Sequence, residues 1–300
     1  MGDSAGVNHR RVTLIGPLLP FRGGISQHTT MLHRSLARQV CLQTLSFKRQ
    51  YPAWLFPGET DRDPDYDGYQ EPGVDYVIDS LNPITWLRAV SNIQHRNTDL
   101  VIIPWWTVFW APCFGYISAA LSRRNITVVF MRHNVIEHEA AGWKLWLTRK
   151  VLGYGTRFVV HTRNDASNLG NIIPGAECAI HAHPVYEHFP DAETSLPRTH
   201  DLELLFFGFI RPYKGLDILI ESMGILKGAD IHLTIAGEFW GNEEKETCDR
   251  IKTLGIGSQI ELRGHYHTAQ ETAQLFERAD VVVLPYRSAT ERLMQHPDRQ

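Results

Sequence analysis

Short apolar runs alternate with amphipathic stretches along nearly the whole chain. Val12–Ile15, Val40–Phe47, Val74–Ile78, Leu100–Ile103, Thr127–Met131, Phe158–His161 and Ala179–Ala182 read as strands. Between them the spacing predicts helices over 26–39, 83–95 and 143–152, and others beginning near Pro112 and Asn164, with Ser26 as a candidate N-cap. A polar, Pro-containing stretch, His183–Asp201, reads as a linker, after which the pattern restarts. Strands are expected over 203–208, 231–236, 260–262 and 281–285, and helices over 215–226, 243–254 and 268–278. Apolar strands separated by helices imply parallel sheets covered on both faces. The expected fold is therefore α/β, with two doubly wound Rossmann-like domains, 1–190 and 191–300, facing a cleft where a small molecule would bind.

Composition narrows the choice of ligand. With 300 residues, 43% hydrophobic and a formal charge of -3, the chain can bury two cores but carries no polybasic field for nucleic acid. Any anion site must be local. Cys41, Cys113, Cys178 and Cys248 stand singly, which predicts reduced core thiols in a cytoplasmic protein. The N-terminus is polar until Val12 and lacks the apolar core of a signal peptide. Leu100–Ser122 holds no charged residue, yet Pro104, Pro112 and Gly115 interrupt it. A buried strand, an aromatic loop and a helix are expected there rather than a membrane span. In that loop Trp105, Trp106 and Trp110 pack in the core or touch a lipid-linked substrate, with peripheral membrane contact as a corollary.

Three loops are candidates for chemistry. In LFFGFIRPYKGLD, a buried strand runs into Gly208, then into Arg211 and Lys214, three residues apart, then into Gly215 at a helix mouth. Two cations between a strand end and a helix N-terminus suit an anion with several phosphate oxygens. In GPLLPFRGGIS, Gly23 and Gly24 follow the first strand, either as a tight turn or as a close approach to a ligand, and no G-x-G-x-x-G fingerprint is present. His133 follows the strand ending at Met131, at the edge where open α/β sheets bind ligands. His138 and Glu139 lie at i+5 and i+6 from it, which is not zinc-helix spacing, so no metal is expected. The run DRDPDYDG has calcium-loop spacing at Asp63, Asp65, Asp67 and Gly68, but Val74 stands where a bidentate Glu is needed, so a solvated acidic loop is expected. Its D-x-D spacing is discounted because no buried strand end presents it.

The second half resembles the family 4 glycosyltransferases through FFGFIRPYKGLDILIE, LTIAGEFW, LGI followed by IELRGHYH, and ADVVVLPYRSAT. PLLPFRGGISQHT, PWWTVFWAPCFGY and MRHNVIEHE extend the resemblance over nearly the whole chain. It implies the two-domain GT-B fold and transfer of a sugar from a nucleotide-sugar donor, with retention of configuration and without a metal or cofactor. Arg211 and Lys214 would neutralise the donor diphosphate, and Gly23 and Gly24 would offer amides to phosphate or sugar. His133 would approach the donor sugar, and Gly237, Glu238 and Gly264 would line the nucleoside pocket. Ser288 and Thr290 would form a phosphate-side loop. The acceptor would be a glycan or a lipid-linked glycan, met by the Trp105, Trp106 and Trp110 loop on the cytoplasmic side of a membrane.

Two departures stand out. Many members place arginine directly after the glycine, where this chain has Phe209, with Arg211 two positions later. After Thr290 the chain runs ERLMQHPDRQ, without the further strands and helix the family carries, so the second domain is expected to be incomplete. A truncated, non-catalytic relative that binds weakly or acts as a partner is therefore the alternative to an active enzyme. A sugar-nucleotide epimerase is a third reading.

Overall fold

The computed structural model describes residues 10–52, 60–133, 142–184 and 190–287, and they divide after Pro184 into two compact units. In the first, β1 (Arg11–Ile15) leads to α1 (Gly24–Leu36), β2 (Cys41–Arg49), β3 (Val74–Asp79), α2 (Pro83–His95) and β4 (Leu100–Trp105). Then come α3 (Ala111–Ser122), β5 (Thr127–Arg132), α4 (Gly142–Leu152), β6 (Arg157–Val160), α5 (Arg163–Ile172) and β7 (Cys178–Ile180). Among the described residues the sheet has seven strands, in the order β3-β2-β1-β4-β5-β6-β7, every pair parallel. The order reverses between β1 and β4, and at such a point the loops beyond the two carboxyl ends diverge and leave a crevice.

Local chemistry explains most boundaries. Pro83 opens α2 behind Asn82, whose side chain accepts from the Ile84 amide at 3.1 Å. Thr162 caps α5 through the Asp165 amide at 3.0 Å. At α1 the cap is Gly23, not Ser26, which is buried in the first turn. The GG pair lets the helix begin three residues earlier than a cap at Ser26 would place it.

The charge-free stretch 100–122 is β4, a single 3-10 turn and α3, and no helix among the described residues is long and apolar enough to cross a membrane. Its aromatics make the core. The Trp110 ring, 1% exposed, packs 4.4 Å from Phe47 and stacks on Phe114 at 5.3 Å. The acidic loop is less solvated than its composition suggests. Asp63 is buried and accepts from the Asp65 amide at 3.1 Å, and Phe21 bridges to Arg62. Of the cysteines, only Cys113 lies in the core, where burial pushes its thiol up, while Cys41, Cys178 and Cys248 are exposed free thiols.

The second unit carries β8 (Leu202–Phe207), α6 (Leu216–Ile225), β9 (Ile231–Ala236), α7 (Glu243–Leu254), β10 (Ile260–Arg263), α8 (Ala269–Arg278) and β11 (Val281–Val282). Its parallel sheet runs β10-β9-β8-β11, with Phe206, Ile210, Ile220, Met223, Leu233 and Ile235 in the core. A capping box at Thr268 and Glu271 starts α8. β11 is shorter than expected: among the described residues it pairs with β8 alone, both of its residues are exposed, and Pro285 has no amide to extend the ladder.

Candidate functional site

In the second unit the candidate residues gather at the carboxyl ends of β8, β9 and β10. Past Phe207 the chain crosses Gly208, is stitched to its neighbour by Ile210 N donating to Glu238 O at 2.8 Å, and enters a 3-10 turn, Pro212–Lys214. Gly215 then takes the left-handed conformation, φ 71°, and α6 begins. Two glycines are required by contact with backbone. A Cβ on Gly237 would stand 2.3 Å from the Gly208 carbonyl oxygen, and one on Gly215 would stand 2.2 Å from that of Pro285. The floor of this loop is therefore bare main chain, packed too closely for any side chain.

Lys214 and Arg211 occupy that floor differently. Lys214 is buried, its ammonium close over Gly208 and 5.7 Å from the Tyr286 ring. Burial, and after it the neighbouring Arg211, push the lysine down to about 8. No carboxylate among the described residues contributes to that shift, so within them the ammonium has no anion to match it. Arg211 is exposed, with its guanidinium over the rings of Trp240 at 4.6 Å and Phe209 at 5.2 Å. Phe209, which displaces the arginine from its usual place in the resemblance, thus becomes part of the arginine's support. Gly237 is buried, and Glu238 and Gly264 follow the ends of β9 and β10. Ser288 and Thr290 lie outside the described residues. Arg287, not singled out from sequence, is paired with Asp217 in the first turn of α6.

The first unit builds a different edge. Gly23 caps α1 with φ 101°, and nothing lies within 4 Å of where side chains would project from Gly23 or Gly24. His133 follows β5, its amide donating to the Trp105 carbonyl at 3.1 Å, and is 6% exposed. It does not stand alone. His28 of α1, His161 after β6 and His183 after β7 surround it, with ring centroids 4.6, 4.9 and 5.4 Å from that of His133. His161 and His183 stack at 3.8 Å. Burial first, then the other imidazoles, hold His28 at about 4 and His133 at about 2, so both are neutral near pH 7. His133 was legible from its place beyond a strand end. The other three escaped notice because they come from separate elements, although His161 and His183 sit just beyond strands in the same way.

The tryptophans are a correction. Trp105 and Trp110 are buried, and Trp106 is half-buried with its indole donating to the Tyr51 hydroxyl at 3.0 Å, so these rings are spent on packing rather than offered to an acceptor. Among the described residues the most exposed aromatics are Trp143 and Trp146 of α4, each 58% exposed, with Lys144 and Lys150 beside their rings.

Two parallel, doubly wound units of this kind define the GT-B type of α/β fold. Residues 186–293 match the family described as Glycosyl transferases group 1. The solved structures place the fold among the same company. The chain is similar to Anabaena Alr3699/HepE, crystallised with UDP and glucose, with a TM-score of 0.66 and 12% identity over 91% of this chain and 73% of that one. It is also similar to the lipopolysaccharide outer core galactosyltransferase WaaB in its apo form, with a TM-score of 0.60 and 13% identity over 92% of this chain and 74% of that one. A third is an E. coli trehalose-6-phosphate protein bound with UDP-2-fluoro glucose, with a TM-score of 0.60 and 10% identity over 94% and 80%. At these identities the likeness is one of fold. No curated protein matches the chain significantly.

Proposed function

We propose that this chain is a glycosyltransferase moving a sugar from a nucleotide-sugar donor to a glycan or lipid-linked acceptor, with retention of configuration and with fixed cations, rather than a metal, at the donor diphosphate. The observation that carries the reading is Lys214: a buried ammonium over bare main chain, without a carboxylate among the described residues to neutralise it. When a glycosyl bond breaks, negative charge grows on the leaving diphosphate. A cation already desolvated and held in place stabilises that charge without reorganising. Arg211, stacked on Trp240, adds a fork suited to phosphate oxygens. Gly237, Glu238 and Gly264 are assigned to the nucleoside, and Gly23 and Gly24, at an open helix start, to phosphate or sugar. His133, neutral near pH 7, would hydrogen-bond to the donor sugar rather than carry charge. The match of 186–293 to a glycosyl transferase family and the UDP carried by two similar folds support the donor class. Exposed Trp143 and Trp146 beside lysines support peripheral contact with a membrane bearing the acceptor on the cytoplasmic side.

The test is a thermal shift with a panel of nucleoside diphosphates. A ligand at about 100 times its Kd adds about 2.7 kcal/mol, enough for a shift of several degrees. One diphosphate is expected to raise the Tm of the chain, and Lys214→Met, which keeps the packing and removes the charge, is expected to abolish the rise. No shift with any common nucleoside diphosphate overturns donor binding.

A further inference from the structure

We propose that the first unit binds a divalent transition-metal ion of the zinc class through His28, His133 and His161, with His183 in the fourth position. The ligand atoms of the first three lie within 4.8 Å of one another, and each of these residues is buried. In a tetrahedral site with Zn–N bonds of about 2.0–2.1 Å the nitrogens stand about 3.4 Å apart, so each ring needs to move by less than about 1 Å. His183 stacks on His161 and is the most exposed of the four, which leaves its side of the site open to exchange. A donor set of imidazoles alone favours zinc, cobalt, nickel or copper over magnesium or calcium, which prefer oxygen.

Two further observations point to a ligand. Nδ1 of His28 and Nε2 of His133 are buried without a hydrogen-bond partner, an arrangement that costs stability unless something fills it. His161 is already set as a ligand: its Nδ1 lies 2.9 Å from the His181 carbonyl, which can only accept, so the proton is on Nδ1 and the lone pair on Nε2. The other histidine group shows the contrast. In the second unit, Glu203 takes the His232 Nδ1 at 2.9 Å together with the amides of Thr199 and His200, a buried network closed by its own carboxylate.

The ion would tie α1 to the ends of β5, β6 and β7 and present a Lewis acid at the carboxyl edge of the sheet. It does not depend on glycosyl transfer, and it competes with the sugar for the same imidazole of His133.

The experiment uses the untagged full-length chain, stripped with chelator, dialysed and titrated with Co²⁺. The expected result is one Co²⁺ per chain with the intense d–d absorption of a tetrahedral site, erased by one equivalent of Zn²⁺. A His28→Gln/His161→Gln double variant is expected to lose the spectrum, and His200→Gln/His232→Gln to keep it. No tetrahedral spectrum in the unaltered chain overturns the proposal, as does a spectrum unchanged in the first double variant. Should that variant fail to fold, His183→Gln, at the most exposed ligand, is expected to weaken Co²⁺ binding by about 10-fold or more, and unchanged affinity overturns the site. The nucleoside diphosphate shift, read on the same metal-free protein, reports separately on the second unit.

Discussion

The two units share a strand order, 3-2-1-4 from the start of each sheet, and place opposite chemistry at its carboxyl edge. The second unit offers positive charge on bare main chain: Lys214 and Arg211 within one loop, over glycines that cannot accept a side chain. The first offers a cluster of imidazoles from α1 and three strand ends, beside glycines with open space in front of them. Topology therefore fixes where a ligand can sit, and the residues at the edge decide which kind. The second edge is arranged for an anion and the first for a group that takes lone pairs or hydrogen bonds.

The sharpest way to break this contrast is to crowd the second edge. Gly237 has φ 139°, and a Cβ there would stand 2.3 Å from the Gly208 carbonyl oxygen. Gly237→Ala combines backbone strain with overpacking against main chain that holds three strand ends, for a loss of about 3 kcal/mol. Denaturant unfolding followed by a second-unit probe such as Trp240 measures it. A loss below about 1 kcal/mol would show that the loop yields, and the argument for a rigid phosphate floor would fall.

The next effect is on pH dependence. Lys214 sits at about 8 in the free protein, held below the ordinary lysine range by burial and then by Arg211 beside it. Below pH 8 the ammonium is in place. Above it, binding a diphosphate must first recover the proton, so affinity is expected to fall toward tenfold per pH unit between about pH 8 and 9.5. Lys214→Arg is expected to flatten the curve. The ligand-free protein moves the other way: the folded state disfavours the ammonium, so this group adds stability as pH rises from about 8 toward 10.5. Titration calorimetry with a nucleoside diphosphate at several pH values checks the first trend. An affinity flat to pH 9.5 would mean that Lys214 is not the anion's partner.

How much of this was legible in the sequence follows the same division. α2 and α7 occupy the residues expected of them, because Asn82 with Pro83 at one start and Gly255 in the left-handed conformation at one end are local signals. The cation loop was legible for the same reason: strand, glycine, Arg211, Lys214 and Gly215 are neighbours in the chain. What depends on register between distant strands was not. His28 and His183 meet only because β1, β5, β6 and β7 align in parallel. Residue type misled at the tryptophans, since an indole in a loop and one in a core look alike until packing is known; Trp110 went inside and Trp146 outside. Ser26 misled as a cap because a glycine just upstream can begin a helix without a side-chain acceptor.

The smallest expected effect sharpens the comparison from the other side. Gly24 opens α1, has no left-handed torsion to protect, and has nothing within 4 Å of where a side chain would go. Nothing in the packing of the first unit therefore requires a glycine. Alanine is the better helix former, so Gly24→Ala is expected to leave stability within about 0.5 kcal/mol or raise it slightly. If the space in front of α1 is there for phosphate or sugar, as proposed, the same methyl occupies it and weakens the nucleotide sugar while leaving a bare nucleoside diphosphate less affected. The paired measurement is unfolding free energy together with affinity for the two ligands. A variant that unfolds with a large loss would return Gly24 to a structural role. One that is neutral in both would remove the glycine pair from the site and leave the first unit's edge to its histidines alone.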